Sequence, residues 1–597
     1  MLYSRSDTDA AFRESLAALA ARLFRGKDEQ DMELTGAGIV VEELIRQKVE
    51  TVFGYPGGYV IDIYDELYRN SDRINHVLTA HEQGAAHAAD AYARVSGRVS
   101  AVIATGGPGA TNLVTGIANA YLDSVPVVFI TGNVPVPMLG GDSFQEIDTV
   151  GVTLPIVKHN YVVKDVRNLQ GILNQAFLIA GTGRKGPVLV DIPQCVQQSN
   201  YGFDPDLRTT MTGAKRPADL SSLFDARDAI AKSERPYIYC GGGVSATGMG
   251  AEVMELSRKL GAPVGLSMMG IGSVPDSYEL NLGMCGMHGR YASTMAKSES
   301  DLIIALGVRF SDRATGSTKG YAKNSKILHV DIDAAEIGKN VRADISLCGD
   351  LREILPKLLE IPCLEKSEKS GKSGKAGKSE QSEKWLERVR ELKAQGNAQQ
   401  NEGFSPRSII ERINAFYDED TVVATDVGQH QMWVAQHYRF EKPRRLITSG
   451  GLGAMGYGLG AAIGASIARG RRRTVLFTGE GSFGMNLTEL ATAVTEKLPI
   501  TIILLNNGVL GMVRQWQALF FGQRYSQTTL DRKTDFPALS KAFGAAGYTA
   551  NSLSELSGIL RELPDDGPSL VECKIGMDER VLPMIPVGGS IGDMVTN

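Results

Sequence analysis

The feature that most constrains the fold is a repeated alternation. Short runs that are apolar at nearly every position are separated by stretches with helical spacing. From Thr35 a helical stretch over 37–48 is followed by TVFGYP, HVLTA, SAVIATGG, VPVVFITG and GPVLVDIP. A strand without a polar face must be covered on both sides, which parallel sheets wrapped by helices provide. A second set begins near Pro236 (PYIYCGGG, DLIIALG, KILHVDID) and ends near Ile361. A third begins near Pro406 (TVVATDVG, RTVLFTGEG, ITIILLNN, SLVECKIG). A chain of 597 residues is too long for one hydrophobic core. The predicted fold is therefore α/β, with three doubly wound parallel-sheet domains over 33–200, 215–362 and 385–597.

Two segments stand outside these units. Residues 1–32 read as an N-terminal extension with an amphipathic helix over Ala11 to Arg25, carrying Phe12, Leu16, Leu19 and Leu23 at helical spacing. Asp7, Asp9, Glu14, Asp28 and Glu29 argue against an organelle transit peptide, which avoids acids. Residues 363–384 include EKSEKSGKSGKAGKSEQSEK, a composition with too little apolar surface to order itself, and read as a flexible linker. The net charge of -5 gives no reason to expect nucleic acid or an anionic membrane as partner. No apolar run is long enough to cross a bilayer. The six cysteines are scattered without metal-like spacing, which suits reduced thiols in a cytoplasmic protein.

Chemistry concentrates where glycines cluster. In the third unit VLFTGEGSF is an apolar strand running into a turn at Gly479 and Gly481, with a helix expected over Asn486 to Lys497. ITIILLNN is another strand, ending in Asn506 and Asn507, and Asn507 lies 27 positions after Glu480 (507 − 480). Two strand ends would thus offer a carboxylate, an amide oxygen and bare backbone, a set that suits a hard cation such as Mg²⁺. A glycine turn opening a helix adds N–H donors for phosphates. In the first unit, HVLTAHEQGAAHAADAYARVSG places Glu82 after a strand and at the start of a helix. There the helix dipole favours an acid, and a buried carboxylate can exchange a proton with an aromatic nitrogen.

The GEG turn, the interval and the paired Asn resemble the thiamine-diphosphate-dependent enzymes, which carry GDG, an interval of this length and NN. By that resemblance Glu480, Asn507 and the carbonyl of Val509 hold the metal, and Glu82 bonds the pyrimidine ring of the cofactor. From Glu33 to Asn597 the likeness narrows to acetolactate synthase large subunits, through VFGYPGG (52–58), GGPGATNLVTGIANAYLDSVPVVFITG (106–132), DSFQE (142–146), KHNY (158–161), GPVLVDIP (186–193), GLGAMGYGL (451–459) and LGMVRQW (510–516). The resemblance implies that Val427, Gly428, Gln429 and His430 clasp the diphosphate with Gly479, Gly481, Ser482, Gly511 and Met512. It makes Met455 the wedge that bends the cofactor. Phe144, Gln145, Lys158 and Trp516 would line the substrate entry, with Trp516 favouring 2-ketobutyrate as second substrate.

The middle unit resembles a flavin-binding Rossmann-like domain through Gly241, Gly242 and Gly243, GMHG with Met287 and His288, LGVRFSDRATG and HVDIDAAEIGKN. Arg309 and Arg313 offer charge for a pyrophosphate. Asp331 and Asp333, at a strand end, could reach a ribose hydroxyl. FAD is the implied ligand. The chain departs from the family pattern at Glu480 (Asp is usual), Gly106 (Ser), Asn133 (Gln), Pro137 (Arg), Ser311 (Asp) and Gly460 (Pro).

The implied reaction decarboxylates pyruvate and joins the hydroxyethyl carbanion to a second 2-keto acid. The product is 2-acetolactate or 2-aceto-2-hydroxybutyrate, in branched-chain amino acid synthesis. The first unit of one chain would meet the third unit of another across the cofactor, giving a dimer or a tetramer, with a separate regulatory small subunit as a further partner. Alternatives within the cofactor class are enzymes of the sulfoacetaldehyde acetyltransferase or pyruvate oxidase type. The alternative outside it is a cofactor-binding homologue without turnover.

Overall fold

Each apolar run becomes a strand in one of three six-stranded, all-parallel sheets. The computed structural model describes residues 32–207, 217–360, 376–396 and 403–596; the expected helix Ala11 to Arg25 lies outside them. The first sheet contains β2 (Thr51–Tyr55), β3 (Asn75–Leu78), β4 (Ser100–Ala104), β5 (Val127–Asn133), β6 (His159–Val162) and β7 (Val188–Pro193), in the order β3-β2-β4-β5-β7-β6. A small antiparallel pair, β1 (Met32–Thr35) with β8 (Asn200–Phe203), closes this unit.

The middle sheet contains β9 (Pro236–Cys240), β10 (Val264–Leu266), β11 (Asn281–Met284), β12 (Leu302–Leu306), β13 (Lys326–Asp331) and β14 (Ile345–Cys348), ordered β11-β10-β9-β12-β13-β14. The third contains β15 (Val422–Thr425), β16 (Leu446–Ile447), β17 (Thr474–Thr478), β18 (Ile500–Asn506), β19 (Ala546–Ala550) and β20 (Ser569–Lys574), ordered β16-β15-β17-β18-β20-β19. The first and third sheets therefore repeat one strand order. In every sheet the chain reverses its direction of travel between β2 and β4, β9 and β12, or β15 and β17; in the first and third it reverses again at the far edge, where β6 and β19 lie outside β7 and β20. Loops leave such a pair on opposite sides and open a crevice at the carboxyl ends of the strands.

The first and third units pack on each other within the chain. Helix Glu82–Ser96 lies against helix Tyr457–Ala468 so closely that a Cβ at Gly464 would sit 1.9 Å from the Ala88 carbonyl oxygen. Arg94, buried there, bonds Asp90 at 2.6 Å and Asp123 at 2.9 Å, and the Tyr457 hydroxyl donates to Asp90 at 2.6 Å. Unpaired, these charges would be costly to bury; paired and hydrogen-bonded, they fix the angle between the units.

The expected linker needs correction at its C-terminal end. Residues 361–375 lie outside the described residues, but Ala376–Gly396 is a helix. Trp385, Val389 and Leu392 recur at helical spacing and are buried in the middle unit's apolar cluster, and the Trp385 indole donates to the Pro236 carbonyl at 3.1 Å. Arg388 adds an ion pair to Glu299. Residues 385–396 thus pack with the middle unit rather than opening the third. Among the described residues, no helix is long and apolar enough to cross a membrane.

Candidate active site

The crevice between β15 and β17 gathers the third unit's motif. β15 ends in Asp426–His430, β17 in Gly479–Ser482, and the neighbouring β18 in Asn506–Val509. The helix after the GEG turn begins six residues earlier than expected, at Glu480 itself (Glu480–Asn486), and a second runs over Glu489–Thr495. Gly479 is the N-cap, so the helix N–H groups face the turn. Ser482 Oγ donates to the Val427 carbonyl at 2.8 Å, tying the two loops together. Asp426, buried and pushed up to about 6 by that burial, accepts from the backbone N–H groups of Val427 and Gly456.

The backbone N–H groups of Asn507, Gly508 and Val509 favour the charged form of the Glu480 carboxyl. Burial nevertheless pushes it up to about 7, and its Oε1 has no hydrogen-bond partner. Asn507 donates to Gln429 Oε1 at 3.3 Å, and its Oδ1 accepts from the Val509 N–H at 3.2 Å. Buried polar atoms are rarely left unpaired, and an orphaned carboxylate oxygen beside an amide and a free carbonyl fits a hard cation. His430 is buried and held neutral, its proton affinity lowered to about 3 by burial, with Nε2 also unpaired and Nδ1 facing Gly479.

Two glycines keep backbone bare. A Cβ at Gly511 would lie 2.0 Å from Gln429 Oε1, and one at Gly481 would lie 2.7 Å from Leu510, with the Met455 methyl 3.8 Å away. A cavity of about 400 Å³ opens beside them, lined by Gly481, Met485, Leu510, Leu530 and Arg532. Helix Gly511–Phe520 carries Met512, half-buried against the core, and Trp516, whose ring meets Phe520 edge-on.

In the first unit, Glu82 is the first residue of helix Glu82–Ser96 and is buried. Its Oε2 accepts from Asn112 Nδ2 at 2.9 Å, and its Oε1 faces Gly109. The turn at Gly106–Gly107 backs onto Gln145, which has a left-handed φ of 59°. Phe144 beside it is 80% exposed, with its carbonyl accepting from the Tyr59 hydroxyl at 2.8 Å. Glu82, Asn112, Gly109, Gln145 and Phe144 therefore surround one turn. Lys158 does not use its ammonium there: it caps the carbonyls of Ile179 and, at 2.8 Å, Thr182. Burial and the Arg184 charge push it down to about 8.

In the middle unit three of the four expected segments follow the adjacent strands β9, β12 and β13, and the fourth, GMHG, follows the edge strand β11. The three glycines are partly explained by packing, since a Cβ at Gly241 would lie 1.9 Å from the Gly307 carbonyl oxygen, one at Gly243 2.7 Å from Gly307 Cα, and one at Gly242 3.2 Å from the Met269 side chain. The Met287 N–H donates to the Arg313 carbonyl, and the His288 ring is buried with Nδ1 unpaired. The Arg309 guanidinium reaches towards Gly451, and that of Arg313 is largely exposed. Asp331 is pushed up to about 6 by burial. Asp333 is already engaged, by Arg184 of the first unit at 3.1 Å. Asn112 and Arg184 are the partners that sequence reasoning missed. Asn112 lies inside the quoted motif GGPGATN, but nothing local says which acid it meets.

Three family models match in order: the thiamine pyrophosphate enzyme N-terminal TPP binding domain at residues 34–152, the central domain at 223–358, and the C-terminal TPP binding domain at 426–573. The acetolactate synthase large subunit of Lactococcus lactis is 40% identical over 94% of this chain and 96% of its own length. The chain belongs to the acetolactate synthase large-subunit family of thiamine pyrophosphate enzymes. The isozyme 2 large subunit of Escherichia coli is 41% identical over 94% of this chain and 99% of its own, and the acetolactate synthase of Mycobacterium bovis is 42% identical over 94% and 91%. The three matched domains fall in order on the three parallel sheets, the first covering β2 to β5, the second the whole middle sheet and the third beginning just after β15.

Proposed function

We propose that this chain is an acetolactate synthase whose site combines the Glu82 face of a first unit with the Glu480–Asn507 face of a third unit. The observation that carries the reading is the pairing of a buried, hydrogen-bonded Glu82 with a bare-backbone crevice holding an orphaned carboxylate oxygen. Thiamine diphosphate, when bound, supplies the electron sink that lets a 2-keto acid lose CO₂. Glu480, Asn507 and the Val509 carbonyl would hold Mg²⁺, and the N–H groups opening helix Glu480–Asn486 would meet the diphosphate with Ser482 and His430. Glu82 Oε, fixed by Asn112, moves a proton at the pyrimidine ring. Phe144 and Gln145 on one face, and Met512 and Trp516 on the other, would exclude water and orient pyruvate or 2-ketobutyrate.

The β9–β12 crevice with His288, Arg309, Arg313 and Asp331 supports FAD as a second bound group, with Asp333 serving the contact between units instead. The active assembly would be a dimer or a tetramer with sites between chains, and a regulatory small subunit is consistent with the relatives being large subunits. The cytoplasm is the compartment that suits its free cysteines. Product analysis of labelled pyruvate tests the reading. Acetolactate with one CO₂ per two pyruvates supports it, whereas acetate, acetyl phosphate or unchanged pyruvate overturns it.

A further inference from the structure

The loop that leads into Glu82 is held by a residue outside its own unit. Thr79 anchors it to the first sheet, its N–H donating to the Gly54 carbonyl. The next two backbone N–H groups, Ala80 and His81, donate to the Glu489 carboxylate at 3.2 and 3.0 Å. Glu489 opens the third unit's helix Glu489–Thr495, nine positions after Glu480, and is fully buried. Its third donor is the Thr492 hydroxyl, at 2.8 Å. The carboxylate lies flush against the first turn of the Glu82 helix: a Cβ at Gly84 would sit 2.0 Å from Glu489 Oε1.

This arrangement is expensive if it only serves packing. A buried carboxylate held by neutral donors loses its hydration, and among the described residues no ion pair to Glu489 is seen. Burial raises its proton affinity, three hydrogen bonds lower it, and the nearby Glu82 raises it again. A second acid beside Glu82 is therefore electrostatically unfavourable. What it does supply is two acceptors matched to the two N–H groups immediately before Glu82.

We propose that Glu489 is a positioning residue that fixes the start of the Glu82 helix and so the direction of the Glu82 carboxylate towards the cofactor. The proposal rests on the role given to Glu82 above. Displacement of a reacting group by about 1 Å can cost on the order of a hundredfold.

The test compares Glu489→Ala, Glu489→Gln and Glu82→Gln. Amide hydrogen exchange of residues 79–84 is read in the cofactor-free protein. Thiazolium C2–H exchange and thiamine diphosphate affinity are read in the Mg²⁺-loaded holoenzyme. E489A should speed exchange at Ala80 and His81 at least about tenfold and slow C2–H exchange about ten- to a hundredfold, with cofactor affinity within about threefold of wild type. E489Q, which keeps one acceptor, should fall between E489A and wild type, and it reads the same quantities if E489A does not fold. E82Q should slow C2–H exchange without changing the amides. A slow E82Q beside wild-type C2–H exchange in the Glu489 variants overturns the positioning role alone. Wild-type C2–H exchange in E82Q overturns the role of Glu82 itself, and the proposal with it.

Discussion

The Glu480 carboxyl should make Mg²⁺ binding strongly pH-dependent near neutrality. Burial raises it from its ordinary value of 4.5 to about 7, against the opposing N–H groups of residues 507–509. A rise of this size in a buried acid disfavours the charged form in the folded, metal-free protein by about 3 kcal/mol above pH 7. The sign follows from the raised value. Without metal, this group adds stability as pH falls below 7 towards 4.5, and the cation removes the penalty by binding the charged form. Because the metal must displace the proton, apparent Mg²⁺ affinity should fall about tenfold between pH 7.5 and pH 6 and level off above pH 8. Titrating Mg²⁺ at fixed thiamine diphosphate, following fluorescence at pH 6, 7 and 8 with matched proton release, measures this. An affinity that is flat across the range, with no proton released at pH 6, would refute the reasoning. The variant Glu480→Asp should bind with a different pH midpoint, since a shorter side chain places the carboxyl at a different depth of burial.

Three further outcomes are expected. Asn112→Ala removes one charge-assisted hydrogen bond from Glu82, worth about 1.5–3 kcal/mol, so kcat should fall about tenfold or more with KM for pyruvate and Tm nearly unchanged; steady-state kinetics with calorimetry checks this. Mixing inactive E82Q with inactive Asn507→Ala subunits, after reversible dissociation, should restore up to about a quarter of wild-type activity if sites lie between chains, and none if each chain builds its own. Trp385→Ala should cost about 3–5 kcal/mol and expose the middle unit first in limited proteolysis, because the indole is buried there with its N–H bonded to Pro236.

The three sheets were legible because their central strands are buried on both faces and carry few polar positions to disguise them. In the three large sheets the strands missed are His159–Val162, Val264–Leu266, Asn281–Met284, Ile345–Cys348, Leu446–Ile447 and Ala546–Ala550, all short and mostly at sheet edges. An edge strand needs fewer apolar residues, so its sequence looks like a loop. Helix Ala376–Gly396 was hidden by the Lys/Ser/Glu repeat at its start; only Trp385, Val389 and Leu392 mark its buried face. The positions of Glu480, Asn507 and Glu82 were readable because local spacing puts each just after a strand or at the helix that follows it. Asn112, Arg184 and Glu489 were not, since each acts on a residue distant in sequence or in another unit. Lys158 shows the converse. Its motif suggested a ligand contact, but the nearest acceptors are the carbonyls at the end of a helix in its own unit.

The most direct test of the central claim is acetolactate formation from pyruvate by the purified protein, with thiamine diphosphate, Mg²⁺ and FAD each omitted in turn. The account predicts product that disappears without thiamine diphosphate or Mg²⁺ and is reduced at least about tenfold in E82Q. Thiamine diphosphate bound at the Glu480–Asn507 face with no acetolactate formed under any of these conditions would contradict it.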